Sequence, residues 1–328
     1  MKYGTIGTSW ITETFIEAAG IAGGFELSAV YSRDERKGKA FAQKHNADNF
    51  FTDLKEMAAS DKLDAVYIAS PNALHYPQSR TFLQHGKHVL CEKPLCVTPA
   101  QVSDLQALAD EKGLILLEGI KMMHLPQRQA LHDAIKRVGL ISSARFEYQQ
   151  LSSKYNELLN GGLPNIFNPE LATGSLMDLG IYCVYPALDL FGWPQNITSF
   201  ARFLSSGADG FGNCIFNYDD KIVNLLYSKV GDGCCDSSIV GDKGTILIGS
   251  VSQLTNIRIK WNDGREEIIS GDLSKAEAMS YEAANFLEYI KEPGKHKTEY
   301  GFACFMSLTA SKAMEIIREQ CGIRFCIY

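Results

Sequence analysis

A glycine turn near the amino terminus has residues suited to binding phosphate. The segment Gly7-Thr8-Ser9-Trp10-Ile11-Thr12 directly follows the apolar run Tyr3–Ile6 and opens a helical pattern. The dinucleotide-binding fingerprint, G-x-G-x-x-G/A, occurs in this setting, where helix N–H groups bind the pyrophosphate. Gly7 matches it, whereas Ser9 and Thr12 stand at the second and third glycine positions. The segment predicts a dinucleotide site contacted by Gly7, Thr8, Ser9, Trp10 and Ile11, and an ordinary strand-to-helix turn is the alternative.

The residues after the second apolar run, Glu26–Tyr31, indicate which dinucleotide is bound. An acidic residue at this position accepts a hydrogen bond from the ribose of NAD, and an arginine accommodates the 2′-phosphate of NADP. Ser32 stands at the acidic position, and Arg33 follows it. The pair therefore favours NADP, while Asp34 leaves NAD open, and a solvated charge cluster over residues 33–39 is the alternative interpretation.

A second turn follows the buried run Asp64–Ala69. Ser70-Pro71-Asn72 and His75 stand there, beyond the end of the strand. Pro71 and Asn72 are typical turn residues, and His75 stands where a helix begins. Taken alone, this segment therefore predicts a structural turn, and a ligand contact outside the carboxyl end of the strand is the alternative.

A third turn, Glu92-Lys93-Pro94, follows the run His88–Cys91. Lys93 brings an ammonium group to the mouth of the predicted sheet, where ligands bind. Pro94 fixes its own φ angle and thereby stiffens the turn. The sequence therefore predicts a positively charged side chain at the ligand site.

A carboxylate and a phenol form a further candidate pair. Asp178 and Tyr182 stand four residues apart in the predicted helix Leu176–Phe191, so their side chains share one helix face. Such a pair is suited to binding a hydroxyl group and exchanging a proton with it. The alternatives are a capping box formed by Ser175 and Asp178, and a core position for Tyr182.

The first 119 residues supply the elements that position the three turns. Apolar strand-like runs alternate there with helical patterns, which predicts parallel strands joined by right-handed helical crossovers. The runs are nearly continuous in apolar residues and do not alternate with polar ones, as in sheets covered on both faces. Residues 1–119 are therefore expected to form a Rossmann domain, an α/β fold with a doubly wound parallel sheet.

Residues 120–328 have a different pattern. Strand-like runs fill most of the segment 197–269, and turns such as Asn262-Asp263-Gly264 separate them. Helical patterns flank these runs, including Ala276–Lys291 and Tyr300–Gln320 near the carboxyl terminus. This part of the chain is expected to form an α+β domain with a large, mostly antiparallel, open-faced sheet.

Composition excludes several classes of protein. The 328 residues carry 32 basic and 38 acidic side chains, a net charge of −6, which disfavours nucleic-acid and anionic-membrane partners. No apolar run reaches about 18 residues, and the amino terminus lacks a signal-peptide pattern. The nine cysteines lack paired metal-binding spacings, so we expect no metal site, reduced thiols and a cytoplasmic location. The sequence also lacks the motifs of P-loop NTPases and α/β-hydrolases.

Several segments together resemble one family. YIASPNALH, GKHVLCEKPL, ATGSLMDLGIY and GDKGT are similar to motifs of the glucose–fructose oxidoreductase, inositol dehydrogenase and rhizopine-catabolism (Gfo/Idh/MocA) family, and the similarity covers nearly the whole chain. The resemblance implies an NAD(P)-dependent oxidoreductase that transfers a hydride between nicotinamide and a carbohydrate, a polyol, or a cyclic diol or carbonyl compound. Tyr182 stands where many members have a histidine, as in the glucose–fructose oxidoreductase and dihydrodiol dehydrogenase branches.

The resemblance also implies roles for the candidate residues. Tyr182 is expected to be the acid/base, and the ammonium of Lys93 to move its pKa from near 10 towards the operating pH. Asp178 is expected to accept a hydrogen bond from a substrate hydroxyl and to help set the charge of Lys93. Lys154 and Asn165 are further expected substrate contacts. The implied cofactor contacts add Ser32, Arg33, Ser70, Pro71, Asn72, His75, Glu92 and Lys93 to those of the glycine turn.

Two departures and two alternatives accompany the resemblance. Ser9 replaces a glycine, and Met123 replaces an arginine that relatives often carry after the last Rossmann strand. The alternatives are a catalytically silent nucleotide- or sugar-sensing protein on the same fold and an unrelated Rossmann enzyme such as a methyltransferase. The expected partners are a small-molecule substrate and further copies of the chain, in a dimer or tetramer formed through the sheet of the domain 120–328.

Overall fold

The computed structural model describes residues 1–325, which divide into two compact units. The first unit comprises Met1–His124 and Ser274–Leu308, and the second comprises Leu125–Leu273 with the residues from Thr309 onward. The chain therefore passes from one unit to the other three times, whereas the sequence suggested a single boundary after residue 119. The reason is a helix near the carboxyl terminus that completes the core of the first unit.

The regular elements of the described residues follow the predicted order along the chain. The strands are β1 (Lys2–Ile6), β2 (Glu26–Tyr31), β3 (Asn49–Phe51), β4 (Ala65–Ile68), β5 (His88–Glu92), β6 (Leu116–Gly119), β7 (Ile141–Gln149), β8 (Asn196–Phe203), β9 (Asp209–Asn217), β10 (Ile222–Ser228), β11 (Ser237–Gly241), β12 (Gly244–Ser250), β13 (Thr255–Trp261) and β14 (Glu266–Ile268). The helices are α1 (Trp10–Ala22), α2 (Glu35–Lys44), α3 (Leu54–Ala59), α4 (His75–Gln84), α5 (Pro99–Lys112), α6 (Pro126–Arg137), α7 (Tyr155–Leu159), α8 (Ile181–Phe191), α9 (Lys275–Lys291) and α10 (Lys297–Cys321). A π-helical turn over Leu176–Gly180 leads into α8. The sequence did not predict α7, because five residues are too few to establish a helical period.

A six-stranded sheet forms the centre of the first unit. Its strand order is β3-β2-β1-β4-β5-β6, and every neighbouring pair is parallel. This is the order of a doubly wound Rossmann sheet, so the predicted fold of this part is confirmed.

Side chains alternate between the two faces of this sheet and build a core on each. Val66 and Ile68 of β4 belong to one buried cluster, which residues of α3, α4 and α5 complete. Ala65 and Tyr67 belong to the cluster on the other face, where the ring of Phe15 from α1 stacks on Tyr67 with centroids 3.7 Å apart. Burial on both faces explains why the strands are mostly apolar and do not alternate with polar residues.

Helix α9 completes the second of these clusters. Its residues Met279, Ala283, Phe286 and Tyr289 recur at helical spacing, and all are buried together with Phe15. An apolar stripe of this kind must be buried against some surface, and in this chain the surface is the α1 side of the Rossmann sheet. The segment from Ser274 therefore belongs to the first unit.

An eight-stranded sheet forms the centre of the second unit. Its order is β14-β13-β12-β11-β7-β10-β9-β8. The pair β7–β10 is parallel, and the other neighbouring pairs are antiparallel. The prediction of a large, mostly antiparallel sheet is confirmed.

The two faces of this sheet differ in exposure. Helix α8 packs against β7 and β10 on one face. Phe200, Phe211 and Ile222 lie on the other face by their pairing register, and they are 58%, 45% and 48% exposed. The sheet is therefore open-faced, as predicted.

The stretch Pro169–Phe191, which contains α8, has the length and hydropathy of a membrane-spanning helix. Within the structure, 83% of its apolar window is buried. That environment is typical of a core helix, whose apolar residues pack against protein.

We predict that Phe286→Ala lowers the free energy of unfolding by about 3–5 kcal/mol, because it opens a cavity in the core that α9 shares with α1. Urea unfolding measures the change. Phe305→Ala on α10 is the control, since Phe305 is 60% exposed and its loss should cost less than about 1 kcal/mol. Equal effects of the two substitutions would contradict the assignment of α9 to this core.

Candidate active site

The predicted cofactor turns lie along one edge of the parallel sheet. Ser32 follows β2, Gly7 follows β1, Ser70 lies two residues after β4, and Lys93 follows β5, and these four strands are consecutive in the sheet. Parallel strands all end at the same edge, which is where open α/β sheets bind ligands. The structure therefore brings together the cofactor residues that the sequence indicated.

The turn at Gly7 suits a pyrophosphate group. Gly7 has a φ of +109°, and a Cβ atom placed there would lie 2.8 Å from the carbonyl oxygen of Ala69. Both the positive φ and this close contact exclude a side chain at position 7. Thr12, at the third glycine position of the fingerprint, is fully buried. A glycine at the start of the turn that leads into the thirteen-residue helix α1 fits the binding of an anion by helix N–H groups.

The start of α1 carries two further polar features. Ser9 is the N-cap residue, but its hydroxyl makes no capping hydrogen bond. Trp10 is 62% exposed, and the Nζ atom of Lys275 lies 4.3 Å from its ring centroid, a cation–π distance. Sequence analysis missed Lys275, which begins α9 far along the chain. A hydroxyl on the turn and a cation beside it suit an anionic ligand.

The structure also bears on the choice between NAD and NADP. Asp34, the residue that left NAD open, is the N-cap of α2 and accepts a hydrogen bond from the backbone N–H of Lys37 at 3.0 Å. Its own N–H donates to the Ser32 hydroxyl at 3.2 Å. The Asp34 carboxylate is therefore engaged by the helix, whereas Arg33 is exposed at the end of β2.

His75 joins the second and third turns. Its Nδ1 atom lies 2.8 Å from the carbonyl oxygen of Pro94, and its Nε2 atom lies 2.8 Å from the carbonyl oxygen of Ser70. The residue is 1% exposed, and burial lowers the pKa of His75 although both carbonyl oxygens oppose that shift. The ring thus links the turn that begins at Ser70 to the turn that carries Lys93, and its contact with a cofactor stays a prediction.

Glu92 is held from inside the first unit. The Tyr67 hydroxyl donates to its Oε1 atom at 2.6 Å, and the backbone N–H of Lys93 approaches its Oε2 atom at 3.3 Å. Burial, and next the Glu92 carboxylate, raise the pKa of Tyr67, so the tyrosine stays protonated and donates. Glu92 thereby fixes the start of the Lys93 turn.

Two buried charges that sequence analysis missed lie close enough to influence Glu92. Lys121, in a 3₁₀ turn after β6, is 7% exposed, and Glu282 on α9 is 1% exposed. Burial lowers the pKa of Lys121 to about 8 while Glu282 and Glu92 oppose that change, and burial followed by Glu92 raises the pKa of Glu282. The sequence signal that could have revealed Glu282 is its position among the apolar residues of α9. Met123 stands where the resemblance led us to expect an arginine. Lys121, two residues before Met123, provides a basic side chain in the same segment.

Asp178 has a partner that no local pattern indicated. It lies in the π-helical turn before α8 and forms an ion pair with Lys229, directly after β10. Ser175 has helical backbone angles and makes no capping hydrogen bond, so the capping-box alternative for Asp178 is wrong. The 51 residues between Asp178 and Lys229 explain why the pair was missed.

Tyr182 is the second residue of α8 and is 8% exposed. Its ring centroid lies 5.6 Å from that of Tyr148 on β7. A Cβ atom at Gly180 would lie 3.1 Å from the Tyr227 ring, so the small residue between Asp178 and Tyr182 lets the π-helical turn approach β10. Asp178 and Tyr182 belong to the second unit and Lys93 to the first, and their joint action stays a prediction.

The two further substrate candidates lie at the surface of the second unit. Lys154 pairs with Glu157 at 3.0 Å, and both side chains are at least half exposed. Asn165 is exposed and opens a 3₁₀ turn, where its carbonyl oxygen accepts a hydrogen bond from Thr173 at 2.8 Å. Exposed ion pairs of this kind contribute little to stability. Substrate contact by either residue stays a prediction.

We predict that His75→Ala lowers the free energy of unfolding by about 2–3 kcal/mol, because it leaves a buried cavity and removes the link between two turns. It should also weaken NADPH binding, since the Lys93 turn loses its support. Urea unfolding and a fluorescence titration measure the two effects. His85→Ala, at an exposed position at the end of α4, serves as the control. Unchanged NADPH affinity in His75→Ala would remove His75 from the support of the site.

Comparison with known proteins finds relatives along the whole chain. A family model described as an oxidoreductase family with an NAD-binding Rossmann fold matches residues 1–120. The chain is 42% identical to scyllo-inositol 2-dehydrogenase (NADP(+)) from Bacillus subtilis over 98% of each protein. It is 27% identical to trans-1,2-dihydrobenzene-1,2-diol dehydrogenase from Xenopus laevis over 99% of each protein.

A solved structure shares the fold over the full length. KijD10, a 3-ketoreductase from Actinomadura kijaniata in complex with NADP and TDP-benzene, superposes with a TM-score of 0.86 at 21% identity, covering 100% of this chain and 99% of that one. The family itself is shown by the 42% identity to the Bacillus subtilis enzyme across both units. The resemblance carried by the E-K-P and neighbouring motifs is confirmed, and the chain belongs to the Gfo/Idh/MocA family of oxidoreductases.

Proposed function

We propose that the chain is an NADP-dependent oxidoreductase that transfers a hydride between nicotinamide and a carbon of a cyclic polyol or a carbohydrate. The observation that carries the proposal is the 42% identity, over both units, to an NADP-dependent inositol dehydrogenase. An inositol or its ketone is therefore the first substrate class to examine. The dihydrodiol dehydrogenases, at lower identity, also act on a hydroxylated ring by their name.

The first unit supplies the groups that hold the cofactor. The turn at Gly7 and the start of α1 bind the pyrophosphate, with Lys275 as an additional cation. Arg33 pairs with the 2′-phosphate, which favours NADP because the neighbouring Asp34 carboxylate is engaged by α2. When bound, NADP(H) supplies or accepts the hydride.

The remaining chemistry is proton transfer at the substrate oxygen, and the chain's own side chains perform it. Tyr182 takes the proton from the hydroxyl during oxidation and returns it during reduction. The ammonium of Lys93 favours the tyrosinate form, because a nearby positive charge lowers the pKa of a phenol. Asp178 accepts a hydrogen bond from a hydroxyl of the substrate and thereby orients the ring.

The open face of the large sheet and the cysteine content support two further parts of the proposal. Phe200, Phe211 and Ile222 form an exposed apolar surface, which is suited to a second copy of the chain in a homodimer or tetramer. The nine cysteines favour a reducing compartment, so the cytoplasm is the proposed location. Size-exclusion chromatography with light scattering tests the oligomeric state.

An absorbance assay at the NADPH band tests the activity. It should detect turnover with inositols, their ketones, aldoses or cyclic diols, and no turnover when the polyol is left out. NADPH binding without turnover across this panel would favour a sensing protein. Binding of S-adenosylmethionine without NADPH would favour a methyltransferase.

We predict that Lys93→Met lowers kcat by about 10³-fold, because general acid–base assistance is lost, while the Kd of NADPH changes by less than about threefold. Steady-state kinetics and a fluorescence titration measure the two. Lys87→Met is a matched control, since Lys87 precedes β5 and Lys93 follows it. Normal turnover in Lys93→Met would remove Lys93 from the mechanism.

We also predict that Arg33→Ala weakens NADPH binding by roughly 10–100-fold and NADH binding by less than about threefold, because only NADPH carries the 2′-phosphate that Arg33 pairs with. Titration with each nucleotide measures the ratio. Arg36→Ala, at the second residue of α2 and exposed, is the control. An equal loss for both nucleotides would show that Arg33 does not read the phosphate.

A further inference from the structure

A buried lysine of the second unit connects two segments that the proposed function uses. Lys229 lies directly after β10, and its side chain is 6% exposed. Its Nζ atom pairs with the Asp178 carboxylate and donates a hydrogen bond to the carbonyl oxygen of Ile166 at 2.9 Å. The same atom lies 5.4 Å from the ring centroid of the buried Phe167. One ammonium group therefore holds both the turn of Asp178 and the loop that begins at Asn165.

The backbone of Lys229 is fixed independently of these side-chain contacts. Its N–H donates to the carbonyl oxygen of Gly210 at 2.9 Å, and its carbonyl oxygen accepts from the N–H of Ser152 at 2.9 Å. The ammonium thus extends from an anchored point at the end of β10. A substitution that removes only the charge therefore leaves the anchored backbone in place and acts on Asp178 and Ile166.

A second buried carboxylate makes the charge of Lys229 necessary. Asp209 is fully buried, and its Oδ2 atom accepts a hydrogen bond at 2.7 Å from the N–H of Leu176, in the same π-helical turn as Asp178. Its Oδ1 atom has no hydrogen-bond partner within residues 1–325. Burial raises the pKa of Asp209 to about 6, a rise that Lys229 opposes and Asp178 enhances. The ammonium of Lys229 thus pairs with Asp178 and also opposes the effect of burial on Asp209.

The ion pair with Lys229 does not prevent the Asp178 carboxylate from accepting a hydrogen bond from the substrate. An ionised carboxylate has two oxygens with about four acceptor positions, so an ion pair does not by itself occupy all of them. A carboxylate that is already charged and immobilised binds a hydroxyl more strongly than a mobile one. The side chain has lost its conformational entropy on folding and loses none on binding. The ion pair with Lys229 is therefore compatible with a role for Asp178 in substrate binding.

We propose that Lys229 is a positioning residue for the substrate: it holds the Asp178 carboxylate and the loop 165–168 in one arrangement, so that both present hydrogen-bonding groups to the hydroxyls of a polyol. The part that concerns the polyol rests on the proposed function. The part that concerns the loop rests on contacts within the second unit alone.

The first test uses turnover. Lys229→Met should raise the KM of the polyol about 10–100-fold through misplacement of its acceptors, with the KM of NADPH changed less than about threefold. Lys229→Arg should recover part of the loss, because it keeps the charge. Lys221→Met is the matched control, since Lys221 also pairs with an aspartate and lies beside aromatic rings at the end of β10 opposite to Lys229. An unchanged polyol KM in Lys229→Met, or equal effects of both lysine variants, would overturn the proposal.

A double-mutant cycle distinguishes action through Asp178 from a general structural effect. If Lys229 works in part through Asp178, Lys229→Met combined with Asp178→Asn should lower kcat/KM by clearly less than the product of the two single losses. Losses that multiply in full would overturn the Asp178 part of the proposal. Should Lys229→Met fail to fold, Lys229→Gln keeps a donor for the Ile166 carbonyl without the charge and takes its place in the cycle.

The second test needs neither cofactor nor substrate. Hydrogen exchange of the Phe167 and Asn168 amides, which bond to the carbonyls of Pro164 and Asn165, should accelerate at least about tenfold in Lys229→Met and stay unchanged in Lys221→Met. Unchanged exchange at these amides would overturn the loop part of the proposal. If the wild-type protein turns over no polyol while Lys229→Met accelerates exchange, the proposed function fails and the anchoring by Lys229 stands.

Discussion

Parallel strands all end at the same edge of a sheet, and the candidate cofactor site depends on that constraint. Because β2, β1, β4 and β5 are consecutive neighbours, the residues after each strand fall side by side although they are far apart in sequence. The glycine turn, the Ser32–Arg33 pair and the Lys93 turn each occupy one strand end. Contacts of the His75 ring with two carbonyl oxygens, and the hydrogen bond from Tyr67 to Glu92, then hold these turns in place.

A parallel sheet has a second requirement, which is cover on both faces. Helices α3, α4 and α5 meet it on one side, but α1 alone does not complete the other. The chain supplies the missing cover from α9, and this places Lys275 beside Trp10 and Glu282 within reach of Lys121. The same helix therefore supports the fold and adds charged groups close to the ends of the strands.

Much of the fold follows from local patterns in the sequence. The bounds of β2 agree with the predicted run Glu26–Tyr31 to the residue, because a mostly apolar run defines it. The destination of α9 could not be predicted, since an amphipathic helix shows that it needs a surface and does not show which one. Among the site residues, Lys93 was indicated by its place after a strand. Lys229 was not indicated, because its role depends on Asp178, which lies 51 residues away in the sequence.

The placement of α9 has a consequence for how the protein matures. A chain is synthesised from its amino terminus, and domains made of continuous sequence fold as they emerge from the ribosome. Here the Rossmann sheet precedes Leu125–Leu273, and the helix that covers Phe15 and Tyr67 follows that segment. The nascent sheet therefore keeps this apolar face only partly covered, by α1, until α9 has been made. A chain that stops before α9 exposes the rest of that face to chaperones and proteases.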